Sequence, residues 1–453
     1  MAVWSEVSLS LLSHGYRIDS EFYRNEYIKK DDILNHNNLF KLGSLGIVTD
    51  GEHGSVSFIN NGIKYLTAEN IKSGYVDISK IRYVGFDVDQ RNARARVFID
   101  DILVSIKGTL GQISLAEKWL LPANMNRDVA IIKIKSHIFD NAFIALFLQS
   151  KYGLYQLARE GSGGVQQMIT LGRLRGVRIP YLEDNIQEKI AFGYRKSLEL
   201  AELSKSLYTH AQGLLEQELG LHKLKFEKLV GVEAKFSEAT NNNRIDADYY
   251  QTHFRILNEY LKTINTKHLS IIANFKKGIE VGSSSYTKEG KLFIRVSNVK
   301  EIGIETSQSD KYISEQKYFA IKSLQPIVGD LLLTKDGTPG VCYSVDKIIE
   351  GVISSGIVRL KLHDSSILNE YLALVINSRI CRMQIERACS GALILHWKPR
   401  DISRLQIPIL PDKLMQELSD MVVQSKQAKL ESNKLLEQAK GCVEELIEEA
   451  VTK

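Results

Sequence analysis

The chain is two diverged copies of one unit, and this limits its folds more than any other feature. At an offset of about 228 residues, four blocks recur in the same order. Arg17-Ile18-Asp19-Ser20-Glu21-Phe22-Tyr23 returns as Arg244-Ile245-Asp246-Ala247-Asp248-Tyr249-Tyr250. Gly62–Ile71 returns as Gly290–Val299, and Asp101–Val104 with Gly108–Gly111 returns as Asp330–Leu333 with Gly337–Gly340. Leu174, Val177, Ile179 and Pro180 return as Ile402, Leu405, Ile407 and Pro408. A repeat of this kind has to be read before any single element, because it sets the architecture.

Each copy has two textures. Residues 17–183 and 244–411 mix short β-type runs with Gly-punctuated turns and a few helical stretches. Strands are predicted at Lys64–Leu66, Ile102–Ile106 and Ala130–Ile134, and at Lys291–Val296, Leu331–Thr334 and Ile357–Leu362. Helices are predicted at Phe143–Leu157 and Tyr371–Arg387. The expected fold class is therefore mixed α/β, with a compact domain in each copy. After Pro180 and Pro411 each copy runs on for 40 residues or so without proline. There, Ile186, Ile190, Gly193, Ser197, Leu200, Ser204, Leu207, Ala211 and Leu214 alternate steps of four and three. Leu414, Leu418, Met421, Ser425, Ala428, Ser432, Leu435, Ala439 and Cys442 do the same. That spacing is the seam of a two-stranded coiled coil, and the small residues on it suit close helix–helix contact better than a globular core. At 1.5 Å per residue each helix would extend about 60 Å.

Composition narrows the function classes. With 44% hydrophobic and 25% charged residues the chain reads as globular. The start, Met1 to Glu6, lacks a signal peptide's basic and apolar regions, and no apolar run reaches the roughly 18–20 residues of a membrane span. Cys342, Cys381, Cys389 and Cys442 form no C-x-x-C pair, which argues against a disulfide framework or zinc site and for a reducing cytoplasm. A net charge of +5 permits a nucleic-acid partner without demanding one.

Two like domains joined by paired antiparallel helices would form a pseudo-twofold dumbbell able to touch duplex DNA at two places. Candidate contacts are polar and basic residues near Gly-rich loops. In the first copy these are Lys107, Thr109, Arg127, Ser162, Gln166, Gln167 and Arg173; in the second, Lys335, Thr338, Ser354, Ser355, His396, Lys398 and Arg400. Arg and Lys suit guanine edges or phosphates, and Gln suits adenine edges. Asp50–Gly54 and Gly282–Ser285 are further exposed-loop candidates. Trp397 reads as packed against its own domain more readily than as stacked on a base. The framework recurs while loop contents differ, as a scaffold with two specificities requires.

With these residues in view, the chain resembles the specificity subunits of Type I restriction–modification enzymes. The likeness rests on Arg17-Ile18-Asp19 and Arg244-Ile245-Asp246, on Asp101–Gly111 and Asp330–Gly340, and on Ile179-Pro180 … Gln187 and Ile407-Pro408 … Gln416. It spans essentially the whole chain. Gln416 stands one position away from the place of Gln187. The resemblance implies two target recognition domains, at 1–183 and 231–411, each reading half of a bipartite asymmetric site. It also implies spacer helices at 184–230 and 412–453 that fix the gap and dock two methyltransferase subunits, with restriction (translocase and nuclease) subunits in the same assembly. S-adenosylmethionine, ATP and Mg are then expected in those partners, and no cofactor in this chain.

The chain itself lacks the common enzyme motifs. An adenine methyltransferase needs an Asn/Asp-Pro-Pro-aromatic tetrapeptide, and the seven prolines include no Pro-Pro pair. No G-x-G-x-x-G after a strand and no G-x-x-x-x-G-K-[ST] phosphate loop is present. Asp184 … Gln187-Glu188-Lys189 has Gln where a nuclease needs Glu, and its acidic residues suit a helix N-terminus. No H-x-x-x-H pair proposes a metal. The expectation is a non-catalytic, cytoplasmic recognition subunit. The alternatives are a coiled-coil scaffold whose globular ends bind proteins, or a subunit of a defence system that does not cut DNA.

Overall fold

A computed structural model describes residues 6, 19–161, 167–226, 231–242, 244–306, 309–391 and 395–451. The chain divides into two compact units, one of residues 1–201 with 431–453 and one of residues 202–430. The division falls inside both long helices, Asp184–Glu218 and Asp412–Glu449.

In the first unit a four-stranded antiparallel sheet runs in the order Gly46–Asp50, Val129–Ile134, Ile102–Ser105, Ile113–Leu115. Ile102–Ser105 is buried along its length, with both its faces covered. Side chains alternate across a strand. Ile102 and Val104 accordingly join one core with the helix Asn141–Gln149. Leu103 points the other way, into a second core with Met125, Val129 and Ile131. A second sheet pairs Ala123–Met125 parallel to Ile63–Leu66, which continues antiparallel to Arg82–Val84 and Phe58–Ile59.

The second unit repeats this plan. Ala273–Lys277, Ile357–Leu362, Leu331–Thr334 and Cys342–Ser344 form the antiparallel sheet. Leu331 and Leu333 face one core and Leu332 the other. Lys291–Ile294 lies parallel to Gly351–Ile353, as Ile63–Leu66 does to Ala123–Met125.

Two local differences from the sequence reading have physical causes. The single helix expected over Phe143–Leu157 is two, Asn141–Gln149 and Lys151–Glu160, broken at Ser150. Ser150 takes an extended conformation (ψ 165°), and its hydroxyl donates to Phe147 O at 2.6 Å while accepting from Gly153 N. A Cβ on Gly153 would lie 2.4 Å from the Leu148 Cα, so the sharp turn requires glycine. Ser378 makes the same break between Asn369–Asn377 and Arg379–Ala388. The second difference concerns Gln187. It is buried, accepts from Asp140 N and donates to Ile138 O and Leu182 O. Its counterpart is Met415, buried in the second unit's core, while Gln416 is exposed and bonds Asp420. A hydrogen-bonded junction in one copy is an apolar one in the other.

The seam places small residues where the long helices meet. In the first unit Ser432 Oγ donates to Ser197 O at 2.7 Å, and a Cβ on Gly193 would sit 3.8 Å from that of Ala439, so the two helices run antiparallel there. In the second unit Ser425 Oγ donates to Ser204 O at 2.7 Å. The last predicted seam position fails: Cys442 is exposed, and Val443 and Ile447 are the buried residues. Each helix has a further face turned to its domain. Tyr194 hydroxyl accepts from Gln149 at 2.8 Å in one unit, and Tyr208 hydroxyl from Asn377 at 3.0 Å in the other.

Candidate nucleic-acid interface

In the first unit the site is built where two turns lock together. Gly51 follows the strand Gly46–Asp50, and a Cβ there would lie 2.0 Å from Met125 O. This close approach lets Glu52 N donate to Met125 O and Arg127 N to Glu52 O, at 2.9 and 3.0 Å. Asn126 closes the turn, accepting from Asp128 N and donating to its carboxylate. Arg127 is left exposed at the apex on a pinned backbone. Beneath it the buried Asp50 holds His53 at 2.9 Å and Arg94 at 3.3 Å.

Beside this turn the strand Ile102–Ser105 ends in Lys107-Gly108-Thr109. Gly108 adopts φ +82°, which favours glycine, and its N–H donates to Gln167 O at 3.1 Å. Lys107 pairs with Met168 across this junction, and its ammonium lies 3.6 Å from Asp128. Lys107, Thr109 and Asn126 thus line one cleft of about 590 Å³, with Lys72, Arg82 and Gln112. Gln167 is exposed next to Met168. Arg173 is not among the cleft's residues: its guanidinium donates to Glu160 O at 2.8 Å, at the end of the helix Lys151–Glu160. Ser162 and Gln166 lie outside the described residues, as do Arg17 and Ile18 of the opening motif. Lys72, Arg82 and Gln112 escaped sequence reading because each is a single polar residue on or beside a short strand, and only the tertiary fold brings them to the Lys107 turn.

The second unit builds the same framework with other contents. Gly278 takes the place of Gly51, its would-be Cβ 2.2 Å from Ser354 O. Ser354 is buried, and Ser355 Oγ donates to Glu280 at 3.2 Å. Lys335 is also buried, with its ammonium on Asp336 and its carbonyl accepting from Trp397 N. Lys335 and Ser354 therefore shape the loop from beneath instead of presenting side chains to a ligand. Trp397 is 1% exposed, packed in its own domain. Thr338, His396, Lys398 and Arg400 are exposed. Asp336-Gly337 pairs with Leu395-His396, and His396 Nδ1 lies 2.8 Å from Asp336. Burial alone would raise the Asp336 carboxyl, but hydrogen bonds from Lys335 and His396 hold it below the usual carboxylate range. By strand pairing Asp336 stands where the first copy has Lys107, and His396 where it has Met168. A donor on one scaffold is an acceptor on the other.

Among the described residues no helix is long and apolar enough to cross a membrane, and no cluster of three His, Cys, Asp or Glu side chains could hold a metal.

Comparison with known proteins bears on this framework. Residues 52–195 match the family model of the Type I restriction modification DNA specificity domain. The Type I restriction enzyme EcoBI specificity subunit of Escherichia coli is 26% identical over 160 residues, which cover 34% of this chain and 32% of that one. The chain thus aligns with about a third of that curated relative's length. Among solved structures, the S subunit of a Type I restriction–modification system from M. genitalium aligns over 92% of this chain and 96% of its own, at 16% identity and TM-score 0.43. The HsdS subunit from Thermoanaerobacter tengcongensis aligns over 91% and 96%, at 14% identity and TM-score 0.28. The matched span of 52–195 holds the interlocked turns, Lys107, Arg127 and the start of the first long helix, and over that span the chain is similar to the Type I restriction modification DNA specificity domain.

Proposed function

We propose that this chain is the DNA-sequence-specificity subunit of a Type I restriction–modification system and does no bond chemistry itself. The observation that carries the reading is the family match over residues 52–195, which encloses a cleft lined by Lys72, Arg82, Lys107 and Gln112. Each unit reads one half of a bipartite double-stranded DNA site. The halves differ because equivalent loop positions carry Lys107 in one unit and Asp336 in the other: an ammonium seeks the N7 and O6 acceptors of guanine, a carboxylate the amino donor of cytosine or adenine. The two long helices set the spacer and dock two methyltransferase subunits, and restriction subunits join the assembly. S-adenosylmethionine, ATP and Mg belong to those partners.

Exchange of residues 17–183 for the equivalent domain of a relative tests this. Sequencing of methylated genomic DNA should show one half of the recognised site changed and the other kept. A folded hybrid with unchanged specificity would sink the reading.

A further inference from the structure

The two copies share an arginine but not its counter-ion. In the first unit Arg159 lies over the Phe22 ring at 4.1 Å, and its Nε donates to Phe22 O at 2.9 Å. Its Nη1 meets Asp31 at 2.5 Å, and the same carboxylate accepts from Tyr155 hydroxyl at 2.5 Å and from Arg178. In the second unit Arg387 keeps the first half of this arrangement: it lies over the Tyr249 ring at 4.2 Å and donates to Tyr249 O at 3.2 Å. The surrounding backbone is equivalent. Gln156 clamps Arg178 through its N–H and carbonyl, and Gln384 clamps Gln406 in the same way. The rest of the cluster is gone. Asp31 is replaced by Asn258, Tyr155 by Met383 and Arg178 by Gln406.

Arg387 is consequently a half-buried cation whose terminal nitrogens carry no hydrogen bond or ion pair among the described residues. Burial pulls its pKa down, the Tyr249 and Tyr250 hydroxyls oppose this, and Arg255 and Arg244 add to it. It lines a cavity of about 470 Å³ with Arg244, Tyr249, Ser390, Gly391 and Leu395. Three carboxylates lie on the same rim. Asp246 is held by Arg244 at 2.5 Å, and Asp248 and Glu386 line the cavity without an ion pair to Arg387 among the described residues. A buried charge is stable only when paired, and a guanidinium with both terminal nitrogens unused is shaped for a bidentate oxyanion.

We propose that Arg387 takes up a backbone phosphate of the bound DNA in this cavity, so that the second unit has a phosphate anchor where the first has an internal salt bridge. The inference rests on the DNA-binding reading above. A phosphate is favoured over a protein carboxylate because the cavity is continuous with the candidate interface: Leu395 leads directly into His396, and Ser390 pairs with His396.

The test is fluorescence-anisotropy titration of the full chain with a labelled cognate duplex and a scrambled one, across a range of salt. Arg387→Gln should weaken binding equally on both duplexes and reduce the slope of log K against log salt by about 0.9, the value of one lost phosphate contact. Asn258→Asp, which restores the first copy's carboxylate, should reduce the slope similarly with no loss of melting temperature. Arg159→Gln should lower the melting temperature and leave the slope unchanged. If both second-unit variants keep the wild-type slope, the phosphate anchor is overturned. Loss of partner-subunit association with the slope intact would overturn it too, in favour of a carboxylate. A wild-type chain that binds neither duplex at any salt would instead remove the function it rests on.

Discussion

Asp101 and Asp330 perform the same task in the two units, while Lys107 and Asp336, six positions further along each copy, perform opposite ones. Asp101 accepts from Phe98 N at 2.7 Å and pairs with Lys133 at 2.6 Å; Asp330 accepts from Ile327 N at 2.9 Å and lies 3.6 Å from Arg359. Both carboxylates close the turn that launches a fully buried strand, so their role is fixed by a backbone N–H that needs an acceptor. Lys107 and Asp336 sit past the end of that strand, where the backbone is already satisfied and the side chain is free to vary. The copies differ past the strand end, where no backbone N–H dictates the side chain, and agree where a carboxylate completes the frame.

That contrast can be broken or sharpened by substitution. The largest effect is expected from Gly51→Val and Gly278→Val. Each puts a Cβ within 2.0–2.2 Å of a carbonyl oxygen that cannot move without pulling its strand. Both should cost about 3 kcal/mol in urea denaturation, and a marked difference between them would show that the two frames are not equivalent after all. Asp31→Asn should cost the first unit about 2 kcal/mol by leaving Arg159 and Arg178 without their carboxylate. Burial raises the Asp31 carboxyl, but Tyr155, Arg178 and Arg159 hold it below its ordinary value. Its stabilising contribution is therefore complete above the unfolded-state value near 3.8 and lost as pH falls through the lower folded value. The gap between wild type and variant should close in acid, and a gap that widened there would refute this assignment. The smallest effect on stability belongs to Arg127→Ala and Lys398→Ala, within about 0.5 kcal/mol of wild type because both side chains are exposed. Both should nonetheless weaken DNA binding measured by anisotropy. A large fall in melting temperature would place them in the frame instead.

The division between frame and loop also explains what could be read from sequence. The repeat, the strand cores and the seam were legible because apolar periodicity and glycine punctuation record backbone requirements, and those recur: Ile102–Ser105 and Leu331–Thr334 stand within a residue of their predicted bounds. The break at Ser150 was not legible, since one serine inside an apolar run carries no period. Site residues were harder for the same reason. A lysine beside a glycine looks alike whether its ammonium lines a cleft, as at Lys107, or is turned under the loop, as at Lys335; only the tertiary fold decides which. The replacement of Asp31 by Asn258 was hidden as well, because a carboxylate on an exposed-looking helix gives no sign of the two arginines it neutralises.

The partition of the long helices has a consequence for synthesis. The core of the first unit includes Ala439, Val443 and Ile447 alongside Tyr194 and Phe143, whereas the second unit is one unbroken stretch, 202–430. Synthesis runs from the N-terminus, so Ala439, Val443 and Ile447 are made after every residue of the second unit. The core of the earlier-made unit is therefore completed by side chains that reach it only after the later unit has been synthesised.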